Sequence, residues 1–190
     1  FVLTKKTKKL GHEIKTLYHQ KKSFIFALIA SLFLGVNWVV FIYAVSVRQA
    51  TQASIAGYIM PLVSIFLALV FLKESLDRYM IISMGLAFIG VIVMVVNSGH
   101  FPLLTLVMSV CFPIYGLFKK FYRLSSDTAM VFESLVLLPF ILIFILFFAK
   151  HAFWNYDLKT IFYLVMSGPV TAIPLLLFAE SLKRAPLSLI

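Results

Sequence analysis

The chain has 190 residues, 62% of them hydrophobic and only 13% charged. A soluble domain is roughly half apolar and about a quarter charged; so few charges exclude a water-facing globule and place the chain among all-α integral membrane proteins. Its 20 Phe and unbroken apolar runs speak for helices rather than a barrel, whose strands would alternate polar and apolar. The formal charge of +10 does not point to nucleic acid, because the basic residues stand between apolar runs, where topology explains them.

In chain order, "FVLTKKTKKLGHEIKTLYHQKK" is a basic, mostly polar segment over 1–22, without the pattern of a cleaved signal. A span needs about 20 mainly apolar residues. Six segments qualify, near 23–46, 52–72, 79–97, 101–118, 129–149 and 160–180. The fourth, "FPLLTLVMSVCFPIYGLF", is short for the task and is parted from the third only by "NSGH", so 79–118 is expected to form a tight helical hairpin. The first residue is Phe, "FVL" reads as the tail of an earlier helix and "APLSLI" as the first turn of a seventh. The expectation is an internal fragment.

The basic residues orient these spans. Fourteen of the 17 Lys and Arg fall in 1–22, 73–78, 119–127 and the exit "SLKRAP"; Arg48, Lys150 and Lys159 fall on the other side. Cytoplasmic loops carry such an excess, which puts residues 1–22 and the loop with Lys183 and Arg184 in the cytoplasm. Trp154 and Tyr156 suit an interfacial aromatic belt. The single Cys111 allows no intrachain disulfide. His12, His19, His100 and His151 lie in expected loops without ligand spacing, so neither a metal site nor a cofactor is expected.

Two stretches echo each other. "FIYAVSVRQATQASI" (41–55) and "LLFAESLKRAPLSLI" (176–190) align Tyr43-Ala44 with Phe178-Ala179, Ser46 with Ser181 and Arg48 with Lys183, and Ser54 meets Ser188 if one residue is skipped. By the loop charges the first copy ends outside and the second inside, as an inverted-topology repeat would.

On "NWVVFIYAVSVRQATQAS", "GYIMPLVSIFLALVFLKESL", "PIYGLFKK", "MVFESLVLLP" and "TAIPLLLFAESLKRAPLS", which occupy most of 35–190 in family order, the chain resembles the EamA-type group of the drug/metabolite transporter superfamily. The resemblance implies a ten-helix permease of two inverted five-helix repeats in the bacterial cytoplasmic (inner) membrane. On that map the chain shows six complete transmembrane helices: 23–97 holds the last three helices of the first repeat, and 98–190 the second repeat up to the start of its fourth helix. Close members carry Asn before the helix proline where this chain has Met60 before Pro61, so any role of that Asn is absent here or has moved.

Independently of the family, polar groups in apolar runs mark candidates. Asn37, with Trp38, sits midway along the first span; its amide costs several kcal/mol in hydrocarbon unless paired or wet, so it either glues helices or lines a solute path. Pro61, Pro113, Pro139, Pro169 and Pro174 each remove a backbone donor within a span. They read as kinks or, at similar depths, as the edge of a cavity, with "SGPVTAIP" (167–174, including Thr171) the expected broken segment. Glu133 is the sharpest: a carboxyl at that depth is functional by default, as a proton or cation coupling site, unless it snorkels or pairs with Lys119, Lys120 or Arg123. Glu180 has Lys183 and Arg184 at i+3 and i+4 and reads as a local ion pair at a helix exit, with transport the other reading; Glu74 reads as structural. Tyr43, Tyr58 and Tyr115 line a path or pack in the core.

The leading expectation is a secondary transporter for a small organic metabolite or drug, working by alternating access in the lipid bilayer, with protons or another coupling ion as partner and a homodimer allowed. No P-loop occurs in the chain, and no catalytic residue is assigned. The alternatives are an integral membrane enzyme, which would need clustered carboxylates or His, and a non-transporting assembly or sensor subunit.

Overall fold

The structure, a computed structural model, describes residues 2–74, 77–98, 103–122, 124–148 and 157–187. Among these are seven α-helices and no strand: α1 (Val2–His19), α2 (Lys21–Ser46), α3 (Ala50–Leu67), α4 (Arg78–Ser98), α5 (Leu103–Lys120), α6 (Ser126–Phe148) and α7 (Leu158–Arg184). Arg123, His100, Lys150, His151, Trp154, Tyr156 and the last three residues, with Ser188 of the repeat, lie outside the described residues.

Five helices are long and apolar enough to cross a bilayer: α2, α3 with its extension to Leu72, α5, α6 and α7. The sixth expected span, 79–97, falls within α4, a helix of 21 residues whose sequence is apolar from Met80 to Val96 apart from Ser83 and the two glycines. Among the described residues α4 packs on α3 while α5 packs on α2 and α3, so no packed hairpin of the two is seen there; residues 99–102, the turn of the expected hairpin at 79–118, lie outside them.

The basic first segment is also more than a polar leader. Leu10, Ile14 and Leu17 recur at i, i+4 and i+7, the spacing of one helical face, and α1 lays that stripe on α2 and α6, with Leu17 buried. At Gln20 the chain leaves helical geometry for one residue and α2 begins.

α5 is the centre of the bundle. Thr105, Met108, Ser109, Pro113, Tyr115 and Gly116 are all buried along it. α2 meets the interior with small residues four apart, Ala27, Ser31 and Gly35, the spacing that lets helices approach closely when lipid supplies no hydrophobic drive. An added Cβ at Gly35 would stand 2.5 Å from Leu137 of α6. Phe24 against Phe132 and Phe33 against Phe118 fill the remaining space.

Hydrogen bonds fix which ends meet. The Thr105 hydroxyl, at the start of α5, donates to the Gln52 carbonyl at the start of α3. At the other end of α5, Lys120 donates to the Ala185 carbonyl just past α7. The two echoing stretches, at the exits of α2 and α7, therefore sit at opposite ends of α5. The second of these ends also gathers α1, the end of α3 and the start of α6, and with them the basic segments; it is called the basic end below.

The α2 exit closes in a Schellman motif, Gln49 N–H to Ala44 O and Arg48 N–H to Val45 O, with Arg48 left-handed at φ 60°. α7, by contrast, runs unbroken through Pro169 and Pro174, so the expected break at 167–174 is absent. Proline's fixed φ is itself helical; each ring removes one hydrogen bond, and the flanking turns hold. The Ser167 and Thr171 hydroxyls bond carbonyls of their own helix. The irregular backbone lies instead at Ala68–Leu72, a π-turn ended by Lys73 in the left-handed region.

Gly35→Leu should overpack the α2–α6 contact and cost about 1–3 kcal/mol, whereas Gly168→Ala, with open space around it, should be neutral or gain about 0.5–1 kcal/mol from helix propensity. Thermal unfolding in detergent, read with a thiol dye on the buried Cys111, orders the two.

Candidate functional site

Near the basic end, about 10 Å along α6 by helix rise, Glu133 is buried with 2% of its surface exposed. Its Oε1 lies 2.7 Å from Lys119 Nζ and accepts the Tyr122 hydroxyl at 3.1 Å; its Oε2 accepts the Tyr115 hydroxyl at 3.2 Å. Lys119 also donates to the Tyr115 oxygen and lies 4.7 Å from the centre of that ring. Tyr115, Lys119 and Tyr122 stand at i, i+4 and i+7, so the last turns of α5 and the residues after it present one polar face to Glu133. Burial, with the Glu133 carboxylate second, pushes the Tyr122 hydroxyl well above the usual phenol range, so it stays a donor. Of the partners the sequence offered for Glu133, Lys119 is the one in contact among the described residues, with Arg123 outside them.

The neighbouring lysine turns elsewhere. Lys120 Nζ reaches Glu74 Oε1 at 3.4 Å and the Ala185 carbonyl at 3.0 Å, while the same Glu74 oxygen accepts the Leu187 N–H at 3.0 Å. The π-turn and left-handed Lys73 deliver Glu74 to this junction, and Leu187 packs beside it with Leu67, Leu117 and Leu182. Glu13 of α1 accepts both the N–H and the hydroxyl of Ser125, at the start of α6. Between these groups lies a cavity of about 640 Å³, bordered among others by Glu13, Lys119, Lys120, Tyr122, Ser125 and Lys183.

The remaining candidates are not brought together. Glu180 is held by Arg184 at 2.9 Å, by Lys183 at 3.7 Å and by the Ser126 hydroxyl at 2.7 Å, a local pair that also ties α7 to α6. Asn37 lies 13 residues beyond Phe24, the neighbour of Phe132, hence about 20 Å along α2. Its Oδ1 is buried and has no hydrogen-bond partner among the described residues, so the interhelical bond that would make it glue is not seen there. Trp38 packs on the main core and edge-on to Phe41. Tyr43 and Tyr58 are exposed, as is Pro61 on α3, and Thr171 is spent on its own helix. Tyr122 and Glu13 were not singled out from sequence. The i, i+4, i+7 spacing of Tyr115, Lys119 and Tyr122 was the available signal for the first; nothing local marks the second.

Removing one partner of a buried ion pair costs about 3–5 kcal/mol, while removing both charges together is often near neutral. Lys119→Met should therefore destabilise strongly, and Lys119→Met combined with Glu133→Gln should recover most of the loss. A double-mutant cycle by thermal unfolding in detergent checks this, a coupling below about 0.5 kcal/mol counting against the pair.

Residues 5–96 match the EamA-like transporter family. The chain is 37% identical over 160 residues to the uncharacterized transporter YojE of Bacillus subtilis, covering 84% of this chain and 54% of that protein. It is 36% identical over 171 residues to the protein RarD of Salmonella typhi, covering 88% and 58%, and 31% identical over 179 residues to the protein RarD of Escherichia coli, covering 92% and 60%. The chain thus spans somewhat over half the length of these relatives. No solved structure matches it. It is a multi-pass membrane protein chain that carries an EamA family domain and is homologous over most of its length to the uncharacterized transporter YojE and to the proteins named RarD.

Proposed function

We propose that this chain serves a secondary transporter that moves a small organic metabolite or drug by alternating access. Segment 23–97 holds the last three helices of its first repeat and 98–190 the inverted second repeat up to the start of its fourth helix, and the basic end, with residues 1–22, faces the bacterial cytoplasm. The observation that carries this reading is the Glu133 network: a carboxylate buried among helices, balanced by one lysine and two tyrosines, and opening on a cavity at a helix-end junction. Ionisable groups within membrane helices mark ion and substrate pathways. The gathering of the basic segments at one end supports the orientation, and the placement of the two echoing stretches at opposite ends of α5 supports the inversion. The family match, which stops at residue 96, supports a boundary near 97.

In this reading Glu133 takes the coupling proton, with Lys119 as the counter-charge when the proton is absent. Glu74 and Lys120 close the basic end by tying the end of α3 to the ends of α5 and α7. Asn37, with an unpartnered oxygen deeper along α2, lines the solute path.

The test is flux into proteoliposomes under an imposed pH gradient, with a panel of small solutes. Accumulation that follows the gradient, and loses that dependence in Glu133→Gln, is the expected result. Unchanged gradient-driven flux in Glu133→Gln removes the coupling assignment, and no flux for any solute removes the transporter reading.

A further inference from the structure

The walls of the cavity at the basic end are unevenly furnished. Four cations border it, Lys119, Lys120, Lys183 and Arg184, against one carboxylate, Glu13, whose Oε2 already accepts two hydrogen bonds from Ser125. An ammonium has three donors. Lys119 uses two, on Glu133 and Tyr115, and among the described residues its third has no partner. Lys183 stands only 3.7 Å from Glu180, with 39% of its side chain exposed. Leu124, Ala129, Ala179 and Leu182 supply apolar wall between these donors. A volume of about 640 Å³ lies within the range of ordinary ligand sites, about 300–1,000 Å³. What fits is an organic body carrying acceptor oxygens.

We propose that this cavity binds a small organic anion through Lys119, Lys120 and Lys183, and that the anion enters together with one proton, which Glu133 receives. The step balances. With the cavity empty, the Lys119 ammonium neutralises the Glu133 carboxylate. When a solute carboxylate approaches, the ammonium transfers its charge-assisted hydrogen bond to it, and Glu133, left buried without a cation, takes a proton from water to form a neutral acid. One carboxylate group and one proton enter together and leave the net charge of Lys119 and Glu133 unchanged; a second negative charge on the same solute meets Lys120 and Lys183. The charged and titratable groups around Glu133 allow this exchange. α5 and the residues after it bring Tyr115, Lys119 and Tyr122; α1 brings Glu13 by way of Ser125; α7 brings Glu180, at Ser126, and Lys183. The facing stretch of α2, residues 24–34, holds no titratable side chain. Lys119 is the only cation in direct contact with Glu133 among the described residues. The proposal names the substrate class and the stoichiometry of the transport reading, and so rests on it for its consequence, though the binding site does not.

The purified protein in detergent is titrated calorimetrically with a five-carbon series differing only in charge: glutarate, 1,5-pentanediol and 1,5-diaminopentane, with inorganic phosphate as a second anion. Glutarate and phosphate should bind, and the diol and diamine should not. Glutarate affinity should strengthen as pH falls, by up to about tenfold per pH unit, the slope for one proton taken up per anion. Glu133→Gln should keep glutarate binding and flatten its pH dependence, and Lys119→Met should abolish binding. Lys183→Gln lies at the exposed rim, where folding is not at stake, and should weaken binding by about two- to fivefold, the scale of an exposed ion pair. Binding of the diamine or diol as tight as that of the anions, or binding of neither anion, overturns the proposal. Anion binding that is indifferent to pH overturns the exchange. Flux plays no part in this measurement, so anion binding without flux would refute transport and leave the site standing, and flux without anion binding would do the reverse.

Discussion

A carboxylate withdrawn from water must be neutralised or hydrogen-bonded to saturation, and at Glu133 the chain does both. The cost of leaving such a charge bare is several kcal/mol even after relaxation, so whatever surrounds it is held in place by that cost. Lys119 has to reach from the last turn of α5, the Tyr115 and Tyr122 hydroxyls have to turn toward α6, and the two helices have to keep the spacing that these long side chains bridge. The basic end is organised around this requirement. Glu13 docks α1 on the first turn of α6, Glu180 ties α7 to Ser126, and Glu74 joins the end of α3 to α5 and to the segment after α7.

The same requirement explains which helix sits in the middle. α5 has the lowest mean hydropathy of the five spans, 1.4 against 2.0 to 2.7, and it is the most buried. Lipid demands an apolar surface, whereas the bundle interior tolerates Thr105, Ser109, Tyr115 and Lys119 provided each finds a partner. α6, the most apolar span, is mostly exposed on the outside, and its one interior carboxyl is the group that α5 answers.

The sequence made the class, the spans and their alternating direction legible, because long apolar runs and loop charges are one-dimensional signals. It also made Glu133 legible, since a carboxyl in an apolar run needs no alignment to be noticed, and Lys119 was among the partners offered. What it obscured depends on three dimensions. The segment 101–118 looks short as a span, but the low mean hydropathy of α5, 1.4, is the mark of a central helix. Proline counts suggested a broken α7, yet a proline inside a long helix removes one bond and the neighbouring turns persist; the irregular turn at Ala68–Leu72 carries no proline at all. Asn37 and Glu133 both stand out as polar residues in apolar runs, but nothing in a linear string says that Glu133 is ringed by partners while Asn37 Oδ1 has none among the described residues. Glu74 reads as structural from the sequence, but the three elements it joins are visible only in the fold, where left-handed Lys73 turns it toward Lys120 and Leu187.

Lys119 and Lys120 are consecutive, and consecutive helical residues point about 100° apart. One turn of α5 therefore grips two directions at once: α6 through Glu133, and the end of α3 through Glu74. These grips are unequal. The Lys119–Glu133 contact is short and buried, while Lys120 meets Glu74 at 3.4 Å with both side chains partly exposed. By length and burial the grip on Glu74 is the weaker of the two, and the one that gives first if the last turn of α5 is displaced. Adjacent residues of one turn thus join the buried carboxylate of α6 to the junction at the ends of α3 and α7.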